Sequence, residues 1–442
     1  MSESARRIDG WKAIAAHFRR DRSTVMRWAS ASDFPVRRGP GGKGASVWAY
    51  AHELDAWLAG LSGGAPSPEA LQPAQRRLGR PILVAAGLLA VAAMGVGAAL
   101  YLARGAAAPA APPQKLPSDP AVADLYLQAR DDWAARTPET LQKAMAEFGE
   151  VTSRDPGFAP AYAGLADVHL LTREYEAVPD AVAYPKAEAA AKLALRLDPR
   201  SADANRALGF IDFGWRHDIA AARVHFGRSL RAAPNDAQTH FWFGNMLIGV
   251  GDDAAALAEL RTARRLDPGS SVIEAAYAMS AWTIDPSDET VAALRALAAR
   301  YPASSDAQLY LSWGYLVQGD VAGYIDQRQK YAALAHNRFL NDRVAAERAA
   351  LAHGGASAAL DFIANAPPGN DDAYEVEAEW PATAAAMLGQ RSRLLALMAR
   401  DVAIHNRWST WRAGQPRFDR WRGDRAVMEG LARLHALPKA AG

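Results

Sequence analysis

Seven residues near the start of the chain have types and spacing suited to reading nucleic acid. In "RSTVMRW" the cationic and hydroxyl residues Arg22, Ser23, Thr24 and Arg27 fall on one side of a helical stretch, while Val25 and Trp28, three apart, fall on the other. Arginine can donate two hydrogen bonds to a guanine edge, serine and threonine hydroxyls hold phosphates, and a helix N-terminus favours the anionic backbone. Arg37, Arg38 and Lys43 follow in "FPVRRGPGGKGASVWAY", two short runs about a glycine-rich tip, which reads as a hairpin offering cations to phosphate. Double-stranded DNA is the partner this chemistry fits.

Competing chemistries find no matching residues. The glycine-rich loop is not a nucleotide cradle, because Gly44 follows Lys43 where a P-loop needs Ser or Thr to hold magnesium. The histidines show no HExxH spacing, and His217, His225 and His240 fall in different helical segments. Glu375, Glu377 and Glu379 alternate in "YEVEAEW", the pattern of an exposed acidic run. No GxSxG or dinucleotide fingerprint occurs, and with no cysteine the chain has neither a thiol nucleophile nor a disulfide framework. No enzyme activity, cofactor or metal is expected.

The elements that must position the seven residues are short. "DGWKAIAAHF" places Trp11, Ile14, Ala15 and Phe18 at helical spacing, and a second helix starts in "RSTVMRW" with Ser23 or Thr24 as its cap. After the hairpin, "YAHELDAWL" closes a small core through Leu54, Trp57 and Leu58. From Ile8 to Leu58 these motifs resemble the MerR-like and excisionase-like winged helix-turn-helix, which implies a second helix in the major groove and a wing on the backbone. The dimerisation helix of MerR proteins is missing. Residues 1–62 are therefore expected to be a small winged helix-turn-helix head.

A basic linker (63–80) leads into "RRLGRPILVAAGLLAVAAMGVGAALYLAR". From Pro81 to Ala103 no charged, His, Asn or Gln residue occurs, and at 1.5 Å per residue this stretch would run roughly 34 Å as a helix, enough for one membrane span. Arg76, Arg77 and Arg80 against Arg104 alone predict a cytoplasmic N-terminus. Charge follows the same division: residues 1–80 carry 13 Lys and Arg against 7 Asp and Glu, the remainder 37 against 41. Ala93 and Gly97, four apart, form a small-residue face through which two copies could pair as a homodimer. A Pro/Ala-rich linker (104–120) follows.

The body is repetitive. Pro156, Pro199, Pro234, Pro268 and Pro302 recur at spacings of 43, 35, 34 and 34 after apolar helical segments. Before the prolines, a small and a bulky residue recur four apart: Ala144 and Phe148, Ala222 and Phe226, Ala256 and Leu260. After them come matching helices with Tyr162, Leu165 and Ala166, then Leu208 and Gly209, then Phe243 and Gly244. Thirty-four is the period of tetratricopeptide repeats, paired antiparallel helices that stack into a solenoid. The nine extra residues before Pro199 are expected as an insertion between two helices, around "VPDAVAYPK". Trp242, Trp282 and Trp313 read as core or groove-lining residues. The repeats are expected over 121–335, with a helical extension over 336–442.

The wording of "RTPETLQKAMAEFGEVTSRDPGFAPAYAGLADVHLL", "AYPKAEAAAKLALRLDP" and "QPRFDRWRGDRAVMEGLARLHALP" resembles the tetratricopeptide body of CadC and ToxR-like membrane regulators. That family usually carries an OmpR-type head, longer than this one. The overall expectation is a mainly α chain: a winged helix-turn-helix head, one transmembrane helix and a tetratricopeptide-repeat α-solenoid. The resemblance implies a single-pass inner-membrane transcription regulator with its repeat body in the periplasm, sensing a signal or binding a protein or peptide partner. The alternative is a membrane-tethered repeat scaffold for protein-protein interaction with no DNA-binding role.

Overall fold

The computed structural model describes residues 6–18, 25–26, 28–29, 34–38, 47–62, 116–175, 178–335, 338–365, 379–403 and 416–436. The apolar segment 81–103 lies outside these residues, as do Arg22, Ser23, Thr24, Arg27 and Lys43. Among the described residues, no helix is long and apolar enough to cross a membrane.

The head is built on three short antiparallel strands, β1 (Arg7–Asp9), β2 (Arg37–Arg38) and β3 (Val47–Tyr50), in the order β1-β3-β2. Ile8 pairs with Ala49 and Arg37 with Trp48, so Ile8, Val47 and Ala49 turn inward. β1 has no counterpart in the sequence reading: three residues with a single apolar one are too short to show alternation. Gly10, at φ 81°, reverses the chain and donates its N–H to the Val47 carbonyl at 2.7 Å. Helix α1 (Trp11–Phe18), the helical residues 25–26 and 28–29, and α2 (Ala51–Ser62) cover the sheet. Ile14, Val25 and Leu54 are fully buried, and Phe18, Trp28, Phe34 and Trp57 contact one another edge-on or tilted, with centroids 4.7 to 6.4 Å apart.

The body is a succession of antiparallel helix pairs. They are α3 (Pro120–Ala135) with α4 (Pro138–Arg154), α5 (Ala159–Tyr175) with α6 (Asp180–Leu197), and α7 (Ala202–Gly214) with α8 (Ile219–Ala232). Next come α9 (Ala237–Gly249) with α10 (Asp253–Leu266), α11 (Ser271–Ile284) with α12 (Asp288–Arg300), and α13 (Ser305–Val317) with α14 (Val321–Leu334). Each recurring proline sits in the turn from one pair to the next, where its missing N–H costs nothing and its ring blocks helix continuation. Side-chain oxygens of Ser201, Asp236, Ser270 and Ser304 then accept the N–H three residues on and start the next first helix.

Packing within pairs, and from one pair to the next, depends on glycine facing bulk. A Cβ on Gly164 would lie 2.5 Å from the Phe148 ring, on Gly209 2.9 Å from Phe226, and on Gly244 2.7 Å from Leu260. Phe148, Phe226 and Leu260 are correspondingly buried to 2 % or less. First helices also stack on one another, α5 on α7, α7 on α9 and α11 on α13. The expected insertion before Pro199 is not a loop: α5 and α6 run 17 and 18 residues, against 13 and 14 for α7 and α8. The alanine-rich run after Pro185 holds no residue that would break a helix, so the extra length lengthens the pair itself.

Beyond the pairs, α15 (Arg338–Asn365) is bent at Gly354 and Gly355, the latter at φ 69°. Then follow α16 (Glu379–Leu388), α17 (Arg391–Ala403), a 3₁₀ turn (Pro416–Trp421) and α18 (Arg425–Ala436). Trp380 of α16 stacks on Trp313 of α13 at 4.5 Å, continuing one core from the solenoid into these helices. Phe226→Ala is expected to destabilise the body by about 3 to 5 kcal/mol, the usual cost of emptying a buried ring site. Urea unfolding of the intact chain checks this.

Candidate docking surfaces

First helices of a solenoid line its inner face, and in the first four pairs buried and half-buried side chains tie them to one another. Arg206 on α7 is 3 % exposed and donates to three carboxylates: Asp167 on α5 at 2.5 Å, Asp203 on α7 at 2.7 Å, and Asp236, the cap of α9, at 2.8 Å. Its guanidinium lies 5.5 Å from the Trp242 ring centre. One cation thus ties three consecutive pairs. Burial pushes the Asp167 carboxyl up to about 7 against the pull of Arg206, with Asp203 adding repulsion. Burial opposes the charge of Asp236 as well, yet Arg206 and the Thr239 hydroxyl and N–H hold it below the ordinary carboxylate range. Burial would lower Arg206, but the acids around it raise it well above its ordinary range.

A second bridge joins the same set of pairs. Arg136, which ends α3 in a left-handed conformation at φ 52°, lies 5.8 Å from the Trp133 ring and 5.4 Å from the Phe241 ring of α9. With its amide oxygen turned toward them, Gln238 accepts from Arg136 at 2.7 Å and from the Trp242 indole. The first pair therefore reaches the fourth. Of the three tryptophans read as core or groove-lining, Trp242, Trp282 and Trp313 are all buried. His225 and His240 likewise serve local structure, on Asp212 and Glu259.

An open cavity of about 270 Å³ lies instead among α10, α11 and α12. Ala278, Ala281, Ala293 and Ala296 form its apolar wall, and Arg264, Tyr277, Arg300 and Tyr301 gather nearby. Arg264 is committed to Glu274 at 2.9 and 3.0 Å and stacks on Tyr277 at 4.2 Å. Arg300 has no carboxylate partner among the described residues and lies over the Tyr301 ring at 5.3 Å. The Tyr301 hydroxyl is buried without a hydrogen-bond partner, and burial raises its pKa. An apolar wall thus stands beside a phenol and a guanidinium that have no hydrogen-bond or carboxylate partner, respectively, among the described residues.

The head's candidate residues are only partly placed. Arg37 forms a two-pronged ion pair with Glu53 of α2, one bond at 2.7 Å and the other shorter, and lies 5.0 Å from the Tyr50 ring. The pair holds Glu53 below the ordinary carboxylate range and raises Arg37. Arg37 is therefore engaged inside the head, not free for phosphate as the hairpin pattern suggested. Arg38 stands beside it on β2. The inner-face cluster leaves no local mark in the sequence, because Asp167, Arg206 and Asp236 are 39 and 30 residues apart and meet only through the stacking of α5, α7 and α9.

No protein-family model matches the chain, and no curated protein matches it. Solved helical-repeat proteins resemble it weakly. Yeast Tom70 is 13 % identical over 74 % of this chain and 66 % of its own, with a TM-score of 0.41. A human IFIT1 dimer with PPP-AAAA is 15 % identical over 72 % of this chain and 73 % of its own, with a TM-score of 0.42. YrrB, a TPR protein with an unusual peptide-binding site, is 19 % identical over 45 % of this chain and 97 % of its own, with a TM-score of 0.29. The body is of the tetratricopeptide kind by its helix pairs and their period, and nothing those proteins bind is carried over to it.

The Asp167 carboxyl, at about 7 in the fold against an ordinary 3.8, keeps its proton on folding where the unfolded chain loses it. Its contribution to stability is full below the lower value and is lost as pH rises through the higher one. Asp167→Asn should therefore gain stability relative to the parent between pH about 4 and 7, and the gain should level off above that range. Urea midpoints of both proteins across that range test it; a pH-independent difference would contradict the assignment.

Proposed function

We propose that this chain is a tetratricopeptide-type scaffold whose body docks a segment of a partner protein. The observation that carries the reading is the open, alanine-walled cavity among α10, α11 and α12. Small residues along its wall let another backbone approach closely. The occupant this chemistry favours is an apolar segment with an acidic residue, which Arg300 would meet. A photo-crosslinking residue at Ala293 in the intact protein should trap a defined partner segment in cells. Ala281→Trp, which fills the cavity, should abolish the product while leaving the melting temperature of the body nearly unchanged; an unaltered product would reject the reading.

A second reading, that the head binds double-stranded DNA, is favoured by the head's arrangement of α1, the helical residues 25–26 and 28–29, the paired strands β2 and β3, and α2. That order is the one a winged helix-turn-helix uses, with Arg22, Ser23, Thr24 and Arg27 as the base-facing and phosphate-facing set. Arg37 is restrained by Glu53. Glu53→Gln should free it, raise affinity for random-sequence duplex and steepen the plot of log K against log salt by about 0.9, one phosphate contact. Fluorescence anisotropy on the intact protein measures both quantities. An unchanged slope and affinity would leave the scaffold without a nucleic-acid role.

A further inference from the structure

One side chain of the head is finished by the body. Trp28 is 1 % exposed, and within the head its ring meets Phe18, Phe34 and Trp57. Its indole N–H leaves the head and donates to Asp267 Oδ1 at 2.8 Å. Asp267 opens the turn Asp267–Pro268–Gly269 between α10 and α11, and the ring fills the space where a side chain at 269 would sit. A Cβ there would come 2.1 Å from Trp28 Cδ1 and 2.9 Å from its Cγ and Nε1.

The chain contains two internal controls for that turn. Asp155–Pro156–Gly157 has the same three residues after α4, and there the nearest group to a Cβ on Gly157 is its own Asp155 carboxylate at 3.7 Å. Asp198–Pro199–Arg200 has an arginine at the third position, and Asp198 Oδ1 accepts the Arg200 backbone N–H at 3.0 Å. The fold of a repeat therefore does not require glycine at this place, and an aspartate there can satisfy its own turn. At 267–269 the carboxylate is turned outward to a donor 239 residues away, and the missing side chain makes room for it.

We propose that the α10–α11 turn is a docking site for the head of the same chain, with the Trp28 indole seated on Gly269 and anchored by Asp267. The 53 residues of 63–115 are long enough for any such placement, since an extended chain covers about 3.3 Å per residue. Tryptophan suits such an anchor because it supplies a large apolar surface and a single directed donor, and a buried donor left without a partner is costly. Docking and a bilayer between head and body exclude each other within one chain, so the contact also specifies that the two share a compartment.

The test uses the full-length protein with a photo-crosslinking residue at Met26, which is 39 % exposed and two residues from Trp28. In a mixture of isotopically light and heavy protein, the adduct should map to the α10–α11 turn of the same chain. Gly269→Arg should lower its yield at least tenfold, whereas Gly157→Arg should leave it unchanged. Arg200 already occupies the equivalent position, so both variants should keep the parent's helical circular dichroism. Trp28→Phe, which retains a ring and removes only the N–H, should lower the yield about threefold and covers the case in which Gly269→Arg perturbs the turn. Because the chain has no cysteine, single cysteines at Ser2 and Gly442 can be labelled with an impermeant maleimide, and both should react from one face of sealed vesicles or react alike in solution. Adducts elsewhere or only between chains, yields insensitive to Gly269→Arg and Trp28→Phe, or labelling from opposite faces would each overturn the docking, while the cavity and duplex-binding results would stand on their own.

Discussion

Close approach of helices within and between repeats is the constraint on which the rest of the body depends. At Gly164, Gly209 and Gly244 the backbone itself is the packing surface, and a ring or a leucine from the adjoining helix lies where a side chain would start. Removing the Cβ lets helix axes come nearer than side-chain-to-side-chain packing allows. Near approach brings successive first helices together, and their inner surfaces then meet side chain to side chain. Polar residues that a wider solenoid would present to water become buried, and they have to find partners among themselves.

Arg206 is the outcome of that burial. A lone guanidinium taken out of water is costly, and so is each carboxylate, but the four groups together satisfy most of one another's hydrogen-bonding capacity. Burial, set against the pull of Arg206, pushes the Asp167 carboxyl up to about 7. Trp242 covers the cluster from one side, and Gln238 joins it to Arg136. Three consecutive pairs are thereby fixed to one another through buried charge, while the open cavity among α10, α11 and α12 lies in the fifth pair and its neighbour.

Much of the body is legible from local pattern because its cause is local. The prolines at 156, 199, 234, 268 and 302 stop helices wherever they occur, and the pairs Ala144 with Phe148 and Ala222 with Phe226 mark one helix face by spacing alone. The extra residues before Pro199 mislead because proline and aspartate in "VPDAVAYPK" read as loop, whereas Tyr184 and Ala187, both buried, carry the helix through Pro185. β1 of the head is invisible in the sequence because its pairing partner lies some 40 residues away in β3. Arg37 reads as free for the same reason: Glu53 is its partner only after the hairpin folds back on α2. What escapes the sequence in every case is a contact set by tertiary geometry rather than by neighbours in the chain.

The bridge from Arg136 to Gln238 and Phe241 has a mechanical consequence. In an open array of repeats, tension along the axis is carried by each junction in turn, and every junction can yield separately. Here the opening pair grips the fourth, so the first four pairs are fastened to one another and their junctions share a load. Pulled from its ends, such a spring would extend first beyond α9 and surrender its leading coil last, as one unit.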